Sequence, residues 1–210
     1  MTTFLLIRHA QNDWVRTGRL AGWTEGVHLN EEGQRQAALL GERLATAKLV
    51  AIYSSPLERA VETAEAIAAH HDALELQIEA GIGEVDFGEW TGKRLKKLAR
   101  TRLWRVVQGH PSGARFPGGE SFLEMQFRLV STLDMLAQRH PTGQVAIVAH
   151  SDVIKAVFAH YAGIHLDLFQ RIVVSPASLT IVALSRFGPH IVRLNDTSHY
   201  ESPKESGSDA

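Results

Sequence analysis

The sequence predicts an α/β fold: a single α/β/α sandwich with a mainly parallel central sheet, helices on both faces and a small helical cap. Three observations carry that expectation. Phe4-Leu5-Leu6-Ile7 and Val145-Ala146-Ile147-Val148-Ala149 are apolar runs without polar alternation, the pattern of strands buried on both faces. Each run ends on a histidine, as Arg8-His9 and His150-Ser151, and in open α/β sheets ligands bind at the carboxyl ends of such strands. Stretches of helical periodicity separate the strands, and that alternation is what a parallel sheet requires.

The first strand is Phe4-Leu5-Leu6-Ile7, and residues 9–29 after it are polar and glycine-rich, a loop long enough to be functional. Asn30 can accept a bond at a helix start, and Ala37, Leu40 and Leu44 recur at helical spacing, so a helix is expected to about residue 47. A second buried strand follows at 49–53. Ser55-Pro56-Leu57-Glu58 places a capping serine, a proline at the first helical position and a glutamate three after the cap, predicting a helix over 56–71. Residues 76–78 suit a short edge strand, and 81–92 a loop carrying Glu84, Asp86, Glu89 and Trp90. Residues 93–107 read as a helix in two pieces, ended by His110-Pro111, Ser112-Gly113 and Pro117-Gly118-Gly119. Ser121 and Glu124 form a second capping box, opening a helix to about residue 139. Beyond the strand at 145–149, Ser151 can cap a helix ending near 161, and 179–184 and 191–194 close the sheet. The chain is thus expected to form one domain over 1–200, with 91–120 as a cap-like insertion and 201–210 as a disordered tail.

The 210 residues are 44% hydrophobic and 21% charged with a net charge of -1, which gives no global pull toward nucleic acid or membrane. Without cysteine, disulfide frameworks, thiolate metal sites and cysteine nucleophiles are excluded, and the composition fits a reducing cytoplasm. Arg8 breaks the first apolar stretch far short of the roughly 20 residues that span a bilayer, so neither a signal peptide nor a membrane span is expected. Gly-rich dinucleotide and P-loop fingerprints are missing, and the remaining histidines form no metal-ligand spacing, so no cofactor and no metal is expected.

Arg8-His9 puts a cation beside an imidazole where a phosphate could be clamped by one and attacked by the other. Taken alone, the dipeptide is better explained by a surface arginine and a packed histidine. Arg59 adds a second cation in the first turn of a helix, where free N–H groups favour anions. Ala149-His150-Ser151 makes another strand-to-helix turn, and Glu84 could protonate a departing alcohol.

In combination these stretches resemble the histidine phosphatase superfamily, also called phosphoglycerate mutase-like proteins. Arg8-His9-Ala10 is similar to its first signature and Gly18-Arg19-Leu20-Ala21-Gly22-Trp23 to the loop that follows. Ser54-Ser55-Pro56-Leu57 with Arg59-Ala60 and Thr63-Ala64 is similar to its second signature, and Glu84 with Phe87-Gly88, Trp90 and Gly92 to its acid loop. Pro117-Gly118-Gly119-Glu120-Ser121 and Val148-Ala149-His150 complete the match, while 103–111 and 167–174 resemble a bacterial subfamily labelled as probable phosphomutases. The resemblance implies that His9 attacks phosphorus, that Arg8, Arg59 and His150 hold the phosphoryl oxygens, and that Glu84 serves as acid and then base. It implies substrate contacts from Asn12, Gly22, Trp23 and Ser151 as well, and a small phosphorylated metabolite as substrate, with the oligomeric state open to a homodimer.

Five positions depart from the family pattern. Ala10 stands for a glycine, Asn12 for a serine or threonine, Val15 for an asparagine that contacts phosphate or substrate, and Ser151-Asp152 for glycines. Phe87-Gly88-Glu89-Trp90-Thr91-Gly92 is similar to the phosphatase branch and favours hydrolysis over a primed phosphomutase reaction. The departures also leave open an inactive phospho-ligand-binding module. Residues 91–119 carry eight Lys or Arg and no acid: a solvated helix face, or a cap that attracts a substrate with a second anionic group.

Overall fold

The strands β1 (Thr2–Arg8), β2 (Leu49–Ser54), β3 (Leu76–Ile78), β4 (Gly143–Ala149), β5 (Leu179–Ser185) and β6 (Gly188–Asp196) hydrogen-bond in the order β3-β2-β4-β1-β5-β6. This computed structural model describes residues 1–200, and the tail expected at 201–210 lies outside them. The first four strands run parallel to their neighbours, whereas β5 is antiparallel to β1 and β6 to β5. Two residues, Arg186-Phe187, join β5 to β6, a connection that only a hairpin can make.

Successive side chains of β1 enter opposite layers, as the two-residue period of a strand requires. Phe4 and Leu6 join Tyr53, Val145 and Ile147 in one cluster with α6 (Phe122–Arg139) and α7 (Ser151–Tyr161). Leu5 and Ile7 join Ile52, Ala146 and Val148 in the other, under α2 (Glu31–Leu44) and α3 (Glu58–Ala68). The absence of polar alternation in the sequence is thereby explained: both faces are covered. The sandwich is as expected, with β3 at the edge of the sheet.

Capping chemistry sets most helix boundaries. Asn30 Oδ1 accepts from Gly33 N at 2.9 Å at the start of α2, and Ser121 and Glu124 exchange both bonds of their box at the start of α6. The basic stretch forms two helical pieces, as expected, α4 (Leu95–Leu98) and α5 (Arg102–Gly109), with Thr101 Oγ1 accepting from Trp104 N at 3.2 Å. Within the expected loop 9–29 a short helix, α1 (Asp13–Arg16), forms because Asn12 Oδ1 accepts from Val15 N at 2.8 Å.

Two predicted caps do not form. Helix α3 starts at Glu58, not Pro56, because sheet pairing continues past β2: Ser55 N donates to Val148 O at 3.0 Å and so cannot be capped by Glu58. Ser55 Oγ lies 2.7 Å from His150 Nε2, and Glu58 accepts instead from Gly26 N at 2.9 Å. Similarly, His150 and not Ser151 occupies the capping position of α7, with no side-chain cap bond.

Helix α2 presses on the loop that follows His9. A Cβ on Gly33 would lie 1.9 Å from Gln11 O, while Gln11 N donates to Gln36 Oε1 at 3.1 Å. Gly33→Ala is expected to destabilise the fold by about 1–3 kcal/mol through forced backbone displacement, read as a lower denaturant midpoint. An unchanged midpoint would show that the contact yields freely.

Candidate active site

Parallel pairing of β1 with β4 sets Arg8 opposite Ala149, so the two strand-ending histidines emerge side by side, their ring centroids 5.2 Å apart. His9 is 3% exposed, and its Nδ1 lies 2.8 Å from the Ala10 carbonyl oxygen. A carbonyl only accepts, so the proton sits on Nδ1 and Nε2 keeps its lone pair. Burial pushes the His9 pKa well down, and the Arg59 and Arg8 guanidiniums push it the same way. The ring is a neutral nucleophile at neutral pH.

Around it the chain gathers donors that it does not satisfy. Arg59, 1% exposed, gives Nη2 to Gly22 O at 2.8 Å and leaves Nε and Nη1 without partners. Arg8 gives Nη1 to Val174 O at 2.7 Å and leaves Nε free. Asn12 spends Oδ1 on its helix cap and leaves Nδ2 free, and His150 leaves Nδ1. A buried donor without a partner costs roughly 1–3 kcal/mol, and five of them around one crevice are balanced by an anion bearing several acceptor oxygens.

Arg8, His9, Asn12, Arg59, Glu84 and Ser151 line this crevice together with Val15 and Gly22. His150 is fully buried behind the lining. Trp23 is set apart from it: its indole Nε1 donates to Glu84 O at 2.8 Å, so it braces the acid's backbone from outside. Gly22 is held at φ +52, and a Cβ there would meet Thr91 Oγ1 at 2.9 Å. Ala10 is fully buried and its backbone is not in the left-handed region, so this position does not require glycine. Asn12 Nδ2 supplies a donor on the wall where Val15 offers none.

Burial pushes the Glu84 pKa up to about 7, with help from Asp152 and against the pull of Arg59 and Arg8. One oxygen accepts from Val85 N at 3.0 Å and the other lies 3.8 Å from His150 Nδ1. Arg128 fixes this loop, donating to Gly81 O at 2.9 Å and Gly83 O at 3.1 Å while pairing with Glu120 at 2.7 Å. Neither Arg128 nor the Ser55–His150 bond is singled out by the sequence. An arginine on an amphipathic helix reads as solvated, and Ser55 reads as a cap. The basic residues of 91–119 are exposed and none of them lines the crevice.

The sequence profile of the histidine phosphatase superfamily (branch 1) matches residues 4–197. The chain belongs to that superfamily. Phosphoserine phosphatase 1 of Hydrogenobacter thermophilus is 31% identical over 95% of this chain and 94% of its own length. A metal-independent phosphoserine phosphatase of Arabidopsis thaliana is 32% identical over 75% of this chain and 68% of its own. Among solved structures, Bacillus stearothermophilus YhfR is similar at a TM-score of 0.89 and 28% identity, covering 96% of this chain and 100% of that one. In this histidine phosphatase no helix among the described residues is long and apolar enough to cross a membrane.

Proposed function

We propose that the chain hydrolyses phosphate monoesters of small metabolites through a phosphohistidine on His9. The observation that carries the reading is the set of five unpartnered buried donors, on Arg8, Asn12, Arg59 and His150, gathered around a histidine whose Nε2 is free. Nε2 attacks phosphorus, the P–N bond forms as the ester P–O bond breaks, and Glu84 gives its proton to the departing oxygen. Water then attacks the phosphohistidine, Glu84 takes the proton, and the P–N bond breaks to release inorganic phosphate and neutral His9. The donors stabilise the equatorial oxygens throughout, and phosphoryl transfer depends mainly on such positioning and charge. Residues 91–120 act as the cap, since Leu95 lines the crevice. We place the substrate in the cytoplasm, in keeping with a chain free of cysteine.

A panel of phosphate esters assayed in chelator, with and without a bisphosphoglycerate primer, tests the reading. Phosphate release without primer is expected; primer-dependent isomerisation with little release would make the chain a mutase, and no turnover a binding module. Arg59→Ala is expected to lower kcat by about 10²- to 10³-fold, the effect of removing an oxyanion donor. An unchanged kcat would take Arg59 out of the clamp.

A further inference from the structure

Beside the crevice lies a second chamber that the hydrolysis of a bare phosphate does not use. Leu20, Phe87, Leu95 and Asp152 line both spaces, so the two adjoin. The chamber walls are aromatic. Trp90 and Trp104 stack at 6.2 Å between centroids, and Phe116 meets Trp90 edge-on at 5.3 Å. Its polar groups are Gln108, Gln170 and Asp152; no lysine or arginine among the described residues lines it. The cations of 91–119 that could have served a second anion stand exposed outside.

Resting on the phosphatase reading, we propose that this chamber takes the alcohol portion of the substrate, an uncharged apolar or aromatic group. We further propose that Asp152 at the threshold discriminates against leaving groups bearing a carboxylate. An anion entering the chamber would shed its hydration without meeting a cation, while a flat apolar group would exchange water for ring faces. Asp152 adds direct repulsion. Lys155 Nζ pairs with it at 3.2 Å, yet Lys155 lines neither space, and the Asp152 charge still reaches Glu84 and Arg8 across the crevice. Arg19 also lines the crevice, but it is exposed, stacked 4.3 Å over Trp14 and bonded to Gly92 O at 3.2 Å, so water screens its attraction for an anion.

The test compares kcat/KM for 1-naphthyl phosphate, ethyl phosphate and 3-phosphoglycerate in the full chain and three variants. The wild type should favour 1-naphthyl phosphate over 3-phosphoglycerate by about ten-fold or more, given the strength of charge repulsion at low dielectric. Asp152→Asn and Gln108→Arg should each cut that ratio by about five-fold or more, the first by removing an anion and the second by adding a cation at an exposed position. Trp104→Ala should cut the ratio of 1-naphthyl to ethyl phosphate by about ten-fold. Asp152→Asn can also change Glu84, on which alkyl esters depend more than aryl esters do; Gln108→Arg, which lines only the chamber, reads the charge effect without that contribution. Hydrolysis that favours 3-phosphoglycerate, or ratios unmoved in all three variants, would overturn this inference and leave the phosphatase reading standing. Failure to release phosphate from any ester would sink the phosphatase reading itself.

Discussion

With substrate labelled in its phosphoryl group, His9→Ala is expected to carry no covalent label and to lose activity on the order of 10⁴-fold or more, as enzymes deprived of their nucleophile do. His150→Ala is expected to remain labelled and to lose about 10²- to 10³-fold, the scale of a lost oxyanion donor. The asymmetry follows from the ring nitrogens. Ala10 O fixes the His9 proton on Nδ1, 2.8 Å away, so Nε2 is a lone pair in the crevice. His150 has its Nε2 against Ser55 Oγ at 2.7 Å and is fully buried behind the lining, so it reaches the phosphoryl group only through Nδ1. Its pKa is pushed down too, by burial first and then by Arg59, so burial alone does not make a nucleophile. The trapped label should be acid-labile and stable in alkali, as a phosphoramidate is. A label that survives His9→Ala would reassign the acceptor.

Of the site residues legible in the sequence, the strand-ending ones stand out most, and for a physical reason. A strand buried on both faces is apolar throughout, so the first polar residues after it, Arg8-His9 and His150, stand out. Helix starts were legible only where the capping oxygen had no distant competitor. Ser121 and Asn30 cap as expected, whereas Ser55 is drawn away by Val148 O and His150, contacts made across more than ninety residues. Local spacing cannot register such competition. The same holds for Trp23 and Arg128, which act on backbone carbonyls of the Glu84 loop and leave no periodic trace. For the basic run, the solvated helix face is the reading that the structure bears out. The basic run in 91–119 is conspicuous in sequence, but its side chains face water, while two acids, Glu84 and Asp152, stand in the wall of the crevice.

Glu84→Gln is expected to lower kcat for alkyl phosphates by about 10²- to 10⁴-fold, the range of a general acid, and to lower that for p-nitrophenyl phosphate far less. A nitrophenolate leaves without a proton; an alkoxide does not. In the wild type kcat/KM for alkyl esters should fall as pH rises through about 7, because the protonated form of Glu84 is the active one. The acid limb should lie below the ordinary histidine range, since His9 is held neutral by burial and two arginines. The burial that makes Glu84 an acid also weakens the fold. Its folded pKa of about 7 exceeds the ordinary 4.5, so the folded state binds the proton more tightly than the unfolded chain does. That stabilisation is complete below pH 4.5 and is lost as pH rises to about 7, a change of about 3 kcal/mol. Glutamine carries no such penalty, so Glu84→Gln should unfold at higher denaturant than the wild type at pH 8 and at the same denaturant near pH 4. Equal midpoints at pH 8 would mean that the Glu84 carboxylate is solvated in the folded state. The alkaline limb of the rate would then have to come from another group.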